Sequence, residues 1–274
     1  MRSYLDVAVL QLSSQSSVAG NLARVGELVG EAAARGARLV ALPENFASMG
    51  GDAAKVAVAE CIDTLGGPVS SALRKLAMAH NVYIVAGGLP ELSGDSARPF
   101  NTSFMIAPDG SLAARYRKIH LFDVSLADGA VHNESASTSR GDYAPVTSVV
   151  DGATIGLTIC YDLRFPELFR ALVDLGARIV TVPAAFTVTT GKDHWHTLLR
   201  ARAIENQIFI VAPAQVGSHP GGRKTYGKSL IIDPWGDVIA QCGDRESIAV
   251  ARLDFAYQDE VRKALPCLEH RQAR

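Results

Sequence analysis

The chain has 274 residues, of which 48% are hydrophobic and 20% are charged, and its formal net charge is −1. A chain of this size can bury one large α/β core or two modest domains, and its balanced charge argues against nucleic acid or a membrane surface as a partner. It contains no run of about eighteen apolar residues, so we expect no membrane span.

The chain has four cysteines, Cys61, Cys160, Cys242 and Cys267, and no two of them have the short spacing that is typical of metal ligands. This pattern argues against a disulfide framework and for a reducing compartment. The N-terminus lacks the long apolar core and the cleavage pattern of a signal peptide. We therefore expect a cytoplasmic protein.

Short apolar runs alternate with helical patterns from one end of the chain to the other. Their richness in Val, Ile and Leu is typical of strands covered on at least one face. The predicted strands are 7–12, 37–42, 82–87, 101–106, 154–160, 179–183, 208–212, 229–232 and 248–253. The alternation predicts a single α/β domain over 1–274, with a core of about 4–254 and a C-terminal tail of about 255–274.

Apolar residues three and four positions apart predict four helices between these strands. The four apolar faces consist of Leu22, Val25, Leu28 and Val29; of Val69, Leu73, Leu76 and Ala77; of Phe165, Leu168, Phe169, Leu172 and Val173; and of Trp195, Leu198, Leu199 and Ala203. One long irregular stretch, 125–143, is rich in Ser, Gly, Asp and Asn. A loop of this length in a compact domain is usually functional or disordered.

Cys160 stands at the end of the apolar run 154–159, where a predicted strand gives way to a predicted helix. This position resembles a nucleophile elbow, in which the helix dipole can stabilise a thiolate. The amide of Tyr161 would then face a developing oxyanion. The competing interpretation is a small buried strand residue.

A thiol nucleophile needs a base, and histidine is the usual one. No histidine of this chain stands in a sequence context that indicates this role. His194 and His196 are separated by one residue on a predicted helix, so they point apart and do not form a metal-binding pair. We expect no metal site. A Cys–His enzyme and a non-catalytic scaffold remain alternatives.

Two other predicted corners each carry a lone charge beside apolar residues. Glu44 follows the strand 37–42 and a proline, and Lys118 stands at the end of the stretch 112–117. Taken singly, each charge is typical of an exposed loop or strand end. A carboxylate, an ammonium and a thiol at three such corners together indicate a hydrolase with a cysteine nucleophile.

Three motifs around these corners resemble the nitrilase, or carbon–nitrogen hydrolase, superfamily. They are LPENF at 42–46, RKIHLFD at 117–123 and CYDLRFPEL at 160–168, and the likeness continues through 194–206 to DPWG at 233–236. The resemblance implies an α-β-β-α sandwich of two mixed sheets, and a homodimer or larger homo-oligomer in which such sandwiches stack. It also implies that no metal or organic cofactor is needed.

The resemblance implies a role for each charged residue. Glu44 is expected to be the general base, and Cys160 the nucleophile that forms a thioester with the amide carbon. Lys118 is expected to hold the oxyanion or donate a proton, together with the Tyr161 amide. A second glutamate, Glu134, matches a family position and is expected to orient Lys118 and the substrate.

The form of the cysteine motif bears on the substrate. Members that hydrolyse nitriles usually carry Trp-Glu-Asn after the cysteine, whereas this chain has Tyr161-Asp162. The motif resembles the amidase branch that acts on α-keto acid amides. The expected substrate is deaminated glutathione, hydrolysed to α-ketoglutarate and cysteinylglycine. The alternatives are an ω-amidase acting on α-ketoglutaramate or succinamate and, more distantly, an N-carbamoyl amino acid amidohydrolase.

Three further residues are expected to bind this small-molecule amide. Arg164 can clamp a substrate carboxylate through two parallel hydrogen bonds from the first turn of its helix. The competing interpretation places Arg164 in a surface ion pair. Phe186 and Thr187, after the strand 179–183, are expected to form part of the pocket wall.

Overall fold

The computed structural model describes residues 3–125, 129 and 131–272. The ends of the predicted 1–274 domain and part of the predicted loop 125–143 therefore lie outside the described residues. The strands are β1 (Tyr4–Leu12), β2 (Leu39–Ala41), β3 (Tyr83–Glu91), β4 (Phe100–Ile106), β5 (Leu112–Arg117), β6 (Asp123–Ser125), β7 (Val131–Asn133), β8 (Val146–Val150), β9 (Ala153–Leu157), β10 (Ile179–Thr181), β11 (Phe209–Ala212), β12 (Ala214–Ser218), β13 (Lys224–Tyr226), β14 (Leu230–Ile232), β15 (Val238–Gln241) and β16 (Ser247–Asp254). The α-helices are α1 (Val18–Ala34), α2 (Asp52–Ala57), α3 (Pro68–His80), α4 (Pro166–Asp174), α5 (Val188–Asn206) and α6 (Phe255–Ala264).

Most of the strands belong to two mixed sheets. The first has the order β13-β12-β1-β2-β3-β4-β5, with β16 antiparallel to β1. The second has the order β15-β14-β11-β10-β9-β8. Strands β1, β2 and β3 pair in parallel, as do β9, β10 and β11, and the remaining partners are mainly antiparallel. The prediction of two mixed sheets is confirmed.

The two faces of β1 show how the layers are arranged. Because side chains alternate along a strand, Val7 and Val9 join one buried cluster while Ala8 and Leu10 join another. The first cluster fills the space between the sheets and extends under α4 and α5. The second lies between the first sheet and the helices α1 and α3. The α-β-β-α order expected from the sequence is therefore present.

The predicted apolar faces cover the sheets much as expected. Val25 and Leu28 of α1 are buried, as are Leu168 of α4 and Trp195 of α5. Helix α4 starts at Pro166. Proline lacks a backbone N–H, but at the first position of a helix that N–H would have no acceptor within the helix. Within the described residues, no helix is long and apolar enough to cross a bilayer.

The C-terminal segment differs from the expected tail. Residues Phe255–Ala264 form α6, and the side chain of its N-cap, Asp254, accepts the backbone N–H of Ala256 at 2.9 Å. Phe255 and Val261 are buried against the body of the protein. The first part of the expected tail is therefore a capped, amphipathic helix that packs on the core.

Candidate active site

Glu44 lies at a crowded corner just beyond β2. A Cβ atom at Gly87 would come within 2.0 Å of the Leu42 carbonyl oxygen and 2.5 Å of the Pro183 Cβ, so glycine is needed for these segments of the two sheets to meet. The next residue, Asn45, has a left-handed backbone (φ 58°). This turn places Glu44 inward, with only 3% of its surface exposed.

Lys118 lies next to Glu44 in the interior and is 2% exposed. Its Nζ donates to Glu44 Oε1 at 3.0 Å and to both carboxylate oxygens of Glu134 at 3.0 and 2.9 Å. Burial lowers the pKa of Lys118, but the charges of Glu134 and Glu44 outweigh burial and hold that pKa above its ordinary value. The ammonium is therefore charged, contrary to the reading of a solvated strand end.

Glu134 and Asn101 complete the hydrogen bonding around these charges. Glu134 begins a 3₁₀ turn, and its Oε2 accepts the backbone N–H of Phe122 at 2.7 Å. Asn101 Nδ2 donates to Glu44 Oε1 at 3.0 Å and lies 3.5 Å from Glu134 Oε1. Sequence reasoning missed Asn101, because a lone asparagine at the start of a strand carries no signal of this role.

The electrostatics of Glu44 follow from these neighbours. Burial raises the pKa of its carboxyl group, but the charges of Lys118 and Arg223, together with the neighbouring Cys160 thiol, outweigh burial. The pKa of Glu44 therefore lies below its ordinary value, and the group is ionised at neutral pH. Its Oε2 also accepts the backbone N–H of Ala185 at 3.1 Å.

Cys160 stands at a strained backbone position beyond the second sheet. Strand β9 ends at Leu157, earlier than predicted, and Cys160 has a left-handed backbone with φ 48°. Such a conformation costs about 1–2 kcal/mol in a residue with a Cβ. The Cys160 N–H donates to the Pro183 carbonyl at 2.8 Å, which helps to hold the bend.

The thiol is a protonated group at rest, which corrects the expectation of a thiolate stabilised by a helix dipole. Burial raises the pKa of Cys160, and the Glu44 carboxylate raises it further, against the opposing effects of Lys118 and the Ala185 N–H. The helix is also farther away than expected. Cys160–Arg164 form a 3₁₀ turn, and α4 begins only at Pro166.

Asp162 ties the cysteine turn to the lysine segment. Its side chain is fully buried and accepts hydrogen bonds from the Tyr116 hydroxyl at 2.7 Å and from the Ile159 N–H at 2.8 Å. His120 Nδ1 lies 2.7 Å from Asp162 Oδ1, and the His120 ring stacks on Phe165 at 3.6 Å. This imidazole is thus engaged away from the thiol. No pattern in the sequence indicated this role for Asp162.

A cavity of about 290 Å³ opens over these groups. All the predicted site residues line it, namely Glu44, Lys118, Glu134, Cys160, Tyr161, Arg164, Phe186 and Thr187. The described part of the predicted loop contributes as well, through 131–134 and 137–138. Among the described residues, no group of three or more His, Cys, Asp and Glu side chains could hold a metal ion.

Arg164 is the last residue of the 3₁₀ turn, so the expectation that it stands on the first turn of the following helix is wrong. Its guanidinium lies 5.9 Å from the Tyr161 ring centroid and 5.5 Å from that of Phe186. The nearest polar partner is His194 Nδ1, at 3.4 Å. Within the described residues no carboxylate pairs with Arg164, which leaves its charge available to the cavity.

The two expected wall residues have different structural settings. Phe186 is 6% exposed, and its ring centroid lies 4.9 Å from that of Trp195, so it is fixed by the core. Thr187 caps α5 and accepts the Thr190 N–H at 3.3 Å. Both line the cavity beside Cys160.

Two more cations line the same cavity and were missed by sequence reasoning. Lys55 is on the short helix α2, and Arg223 follows the turn Pro220–Gly222. Neither segment has an apolar pattern or a motif that singles it out. Their position near Cys160 depends on long-range packing that composition does not reveal.

The chain is similar to known proteins over nearly its whole length. The family model described as Carbon-nitrogen hydrolase matches residues 6–263. A protein of Synechocystis named deaminated glutathione amidase is 44% identical over 273 residues, covering 99% of this chain and 99% of its own length.

Solved structures are also similar to this chain. The NitFhit protein of Caenorhabditis elegans has a TM-score of 0.91 and 36% identity, covering 98% of this chain. The present chain spans 65% of that longer protein. A Saccharomyces cerevisiae member of the nitrilase superfamily has a TM-score of 0.87 and 32% identity, with 97% of this chain and 96% of the yeast chain covered.

Proposed function

The chain belongs to the carbon–nitrogen hydrolase family, and from this premise we propose that it is an amidase that hydrolyses deaminated glutathione to α-ketoglutarate and cysteinylglycine. The observation that carries the proposal is that the ionised Glu44 carboxylate, the buried Lys118 ammonium 3.0 Å from it and Cys160 line one cavity. The 44% identity to a relative of that name supports the choice of substrate.

In the acylation step, Glu44 takes the proton of the Cys160 thiol as sulfur attacks the amide carbon. Lys118 and the Tyr161 N–H stabilise the oxygen that becomes negative, because preorganised donors cost little reorganisation in a water-excluded site. The protonated Glu44 then donates its proton to the leaving nitrogen as the carbon–nitrogen bond breaks. The product of this step is a thioester on Cys160.

In the deacylation step, Glu44 takes a proton from a water molecule, whose oxygen attacks the thioester carbon. The carbon–sulfur bond breaks, and the proton on Glu44 returns to the Cys160 sulfur. Glu134 takes no proton in this scheme. It fixes the Lys118 ammonium through two hydrogen bonds and is itself held by the Phe122 N–H.

Arg164 is proposed to bind the carboxylate of the keto acid half. Its guanidinium faces the cavity between Tyr161 and Phe186 and has no carboxylate partner among the described residues. We expect Arg164→Ala to lower kcat/KM about 10–100-fold for deaminated glutathione, the scale of a lost charge-assisted pair. Arg74→Ala, at an exposed position of α3, is the control. An equal loss for an amide without a carboxylate would contradict the clamp.

The experiment that tests the proposed function measures α-ketoglutarate release from deaminated glutathione and from α-ketoglutaramate. The Cys160→Ala variant gives the blank. We expect a higher kcat/KM for the tripeptide analogue. A preference for α-ketoglutaramate would indicate an ω-amidase instead, and no product above the blank from either compound would refute the substrate class.

We also propose a single domain over the chain, a homo-oligomer and a reducing, cytoplasmic compartment. The family match over 6–263 supports the single domain, and four free cysteines are consistent with the compartment. Exposed apolar side chains, including Val188 and Ile204 of α5 and Trp235, favour self-association. Sedimentation equilibrium tests the oligomer, and a monomer at micromolar concentration would refute it.

A further inference from the structure

A second, smaller cavity adjoins the catalytic one. Asn45, Lys55, Pro90 and Arg223 line both cavities, whereas Cys160 and Arg164 line only the catalytic one. Lys55 and Arg223 therefore lie on the side of the catalytic cavity that faces the smaller one, and Arg164 does not border the smaller one. The proposed mechanism assigns no role to these two cations.

Lys55 is held in place by hydroxyl groups. Its Nζ donates to Ser137 Oγ at 2.9 Å and lies 3.4 Å from Thr138 Oγ1. The Asp52 carboxylate is 3.4 Å away, but that side chain is 73% exposed, so water weakens the pairing. The ammonium side chain is 30% exposed and borders the cavity.

Arg223 supplies a second positive charge beside Lys55. One of its terminal nitrogens donates to the Ala185 carbonyl at 3.0 Å. A guanidinium has five N–H donors, and within the described residues no carboxylate lies at ion-pair distance from this one. Four cations (Lys55, Lys118, Arg164 and Arg223) and three carboxylates (Glu44, Asp52 and Glu134) line the catalytic cavity, so one positive charge is left in excess.

We propose that Lys55 and Arg223 form a second anion subsite, which binds the carboxylate on the leaving-group side of the substrate. This inference rests on the proposed function. Deaminated glutathione has a carboxylate on each side of its scissile amide, one on the keto acid and one on the terminal glycine. With the scissile carbon at Cys160, Arg164 binds the first carboxylate and the Lys55–Arg223 pair binds the second.

The subsite makes the enzyme selective for amides whose amine portion ends in a carboxylate. A small amide such as α-ketoglutaramate releases ammonia and offers nothing to Lys55 or Arg223. The test therefore compares deaminated glutathione with its glycinamide analogue, which lacks only the distal charge. For the protein as it stands, kcat/KM is expected to be about 10-fold higher for the acid, the factor given by one charge-assisted hydrogen bond.

The same ratio is then measured in variants. In Lys55→Met and in Arg223→Gln the acid-to-amide ratio is expected to fall from about 10 towards 1. The matched control Lys75→Met, on the exposed face of α3, is expected to keep the ratio of the unmodified protein. Arg223→Gln could lower activity on every substrate, because Arg223 lowers the pKa of Glu44. Each ratio compares two substrates in the same variant, so a general loss of this kind cancels.

The outcomes separate this inference from the proposed function. If the unmodified protein hydrolyses α-ketoglutaramate but does not distinguish the acid from the glycinamide, the subsite is refuted and the amidase chemistry stands. A ratio that stays near 10 in both variants refutes the assignment to Lys55 and Arg223. If none of the three compounds is hydrolysed, the proposed function fails and this inference fails with it.

Discussion

Replacing Lys118 by methionine removes the cation that joins the two buried carboxylates. The Nζ atom has three contacts with Glu44 and Glu134 oxygens at 2.9–3.0 Å. Removing one partner of a buried ion pair costs about 3–5 kcal/mol, because the other charge is left unpaired. Glu134 is 15% exposed and can regain some water, so we expect Lys118→Met to lower the free energy of unfolding by about 3–4 kcal/mol at neutral pH.

The pH dependence of this loss has a defined sign. In the unmodified protein the pKa of Glu44 is lowered, so its contribution to stability is present above its unfolded pKa and is lost as the pH falls through its folded pKa. The pKa of Lys118 is raised, so its contribution is complete below its unfolded pKa and is lost only as the pH rises through its folded pKa. Between about pH 5 and pH 8 the pair therefore contributes a nearly constant amount.

In Lys118→Met we expect the shift of the Glu44 pKa on folding to change sign. Without the ammonium, burial loses its strongest opponent, so we expect the folded pKa of Glu44 to rise above its unfolded value although Arg223 and Cys160 still lower it. The destabilisation is then greatest near pH 8 and shrinks as the pH falls through that raised pKa. Urea unfolding of both proteins at several pH values between about pH 5 and pH 8 measures this. The exposed substitution Lys75→Met is the control, with an expected change within about 0.5 kcal/mol. A loss below about 1 kcal/mol that does not change with pH would refute the reasoning.

Three other perturbations test the site. Asp162→Ala leaves the Tyr116 hydroxyl and the Ile159 N–H without their acceptor, and we expect a loss of about 3 kcal/mol in unfolding free energy with reduced turnover; unchanged thermal unfolding would contradict the role of Asp162 as a tie. Asn101→Ala removes the donor shared by Glu44 and Glu134, and steady-state kinetics should show kcat about 10-fold lower with little change in KM; a change in KM alone would argue against it. Alkylation of Cys160 by iodoacetamide, followed by peptide mass mapping, should still accelerate above about pH 9 because the thiol pKa is raised; a plateau below about pH 8 would show a thiolate at rest instead.

The layered fold could be predicted from the sequence because its signals are local. Strands such as β1 and β3 show buried apolar runs, and helices such as α1 repeat their apolar residues at three and four positions. Short strands such as β12 and β13 were missed. They are held by pairing with distant segments, and a run of three to five residues with polar or glycine positions has no distinct period.

The sequence identified candidate site residues where a family motif lies at the end of a predicted strand, as at Glu44, Lys118 and Cys160. The protonation states of these residues could not be predicted from the sequence. A raised thiol pKa depends on burial and on the approach of Glu44, and these residues are far apart in sequence. Asn101 and Arg223 were invisible for the same reason, since each acts through neighbours that only the folded chain brings within reach.

In the proposed mechanism, Cys160 carries the acyl group of deaminated glutathione during hydrolysis. The most direct measurement is mass spectrometry of the protein, quenched in acid milliseconds after mixing with this substrate, with turnover of Cys160→Ala measured in parallel. We expect an α-ketoglutaryl adduct on the peptide that contains Cys160 and no turnover by the variant. Release of α-ketoglutarate by Cys160→Ala at the rate of the unmodified protein would contradict it.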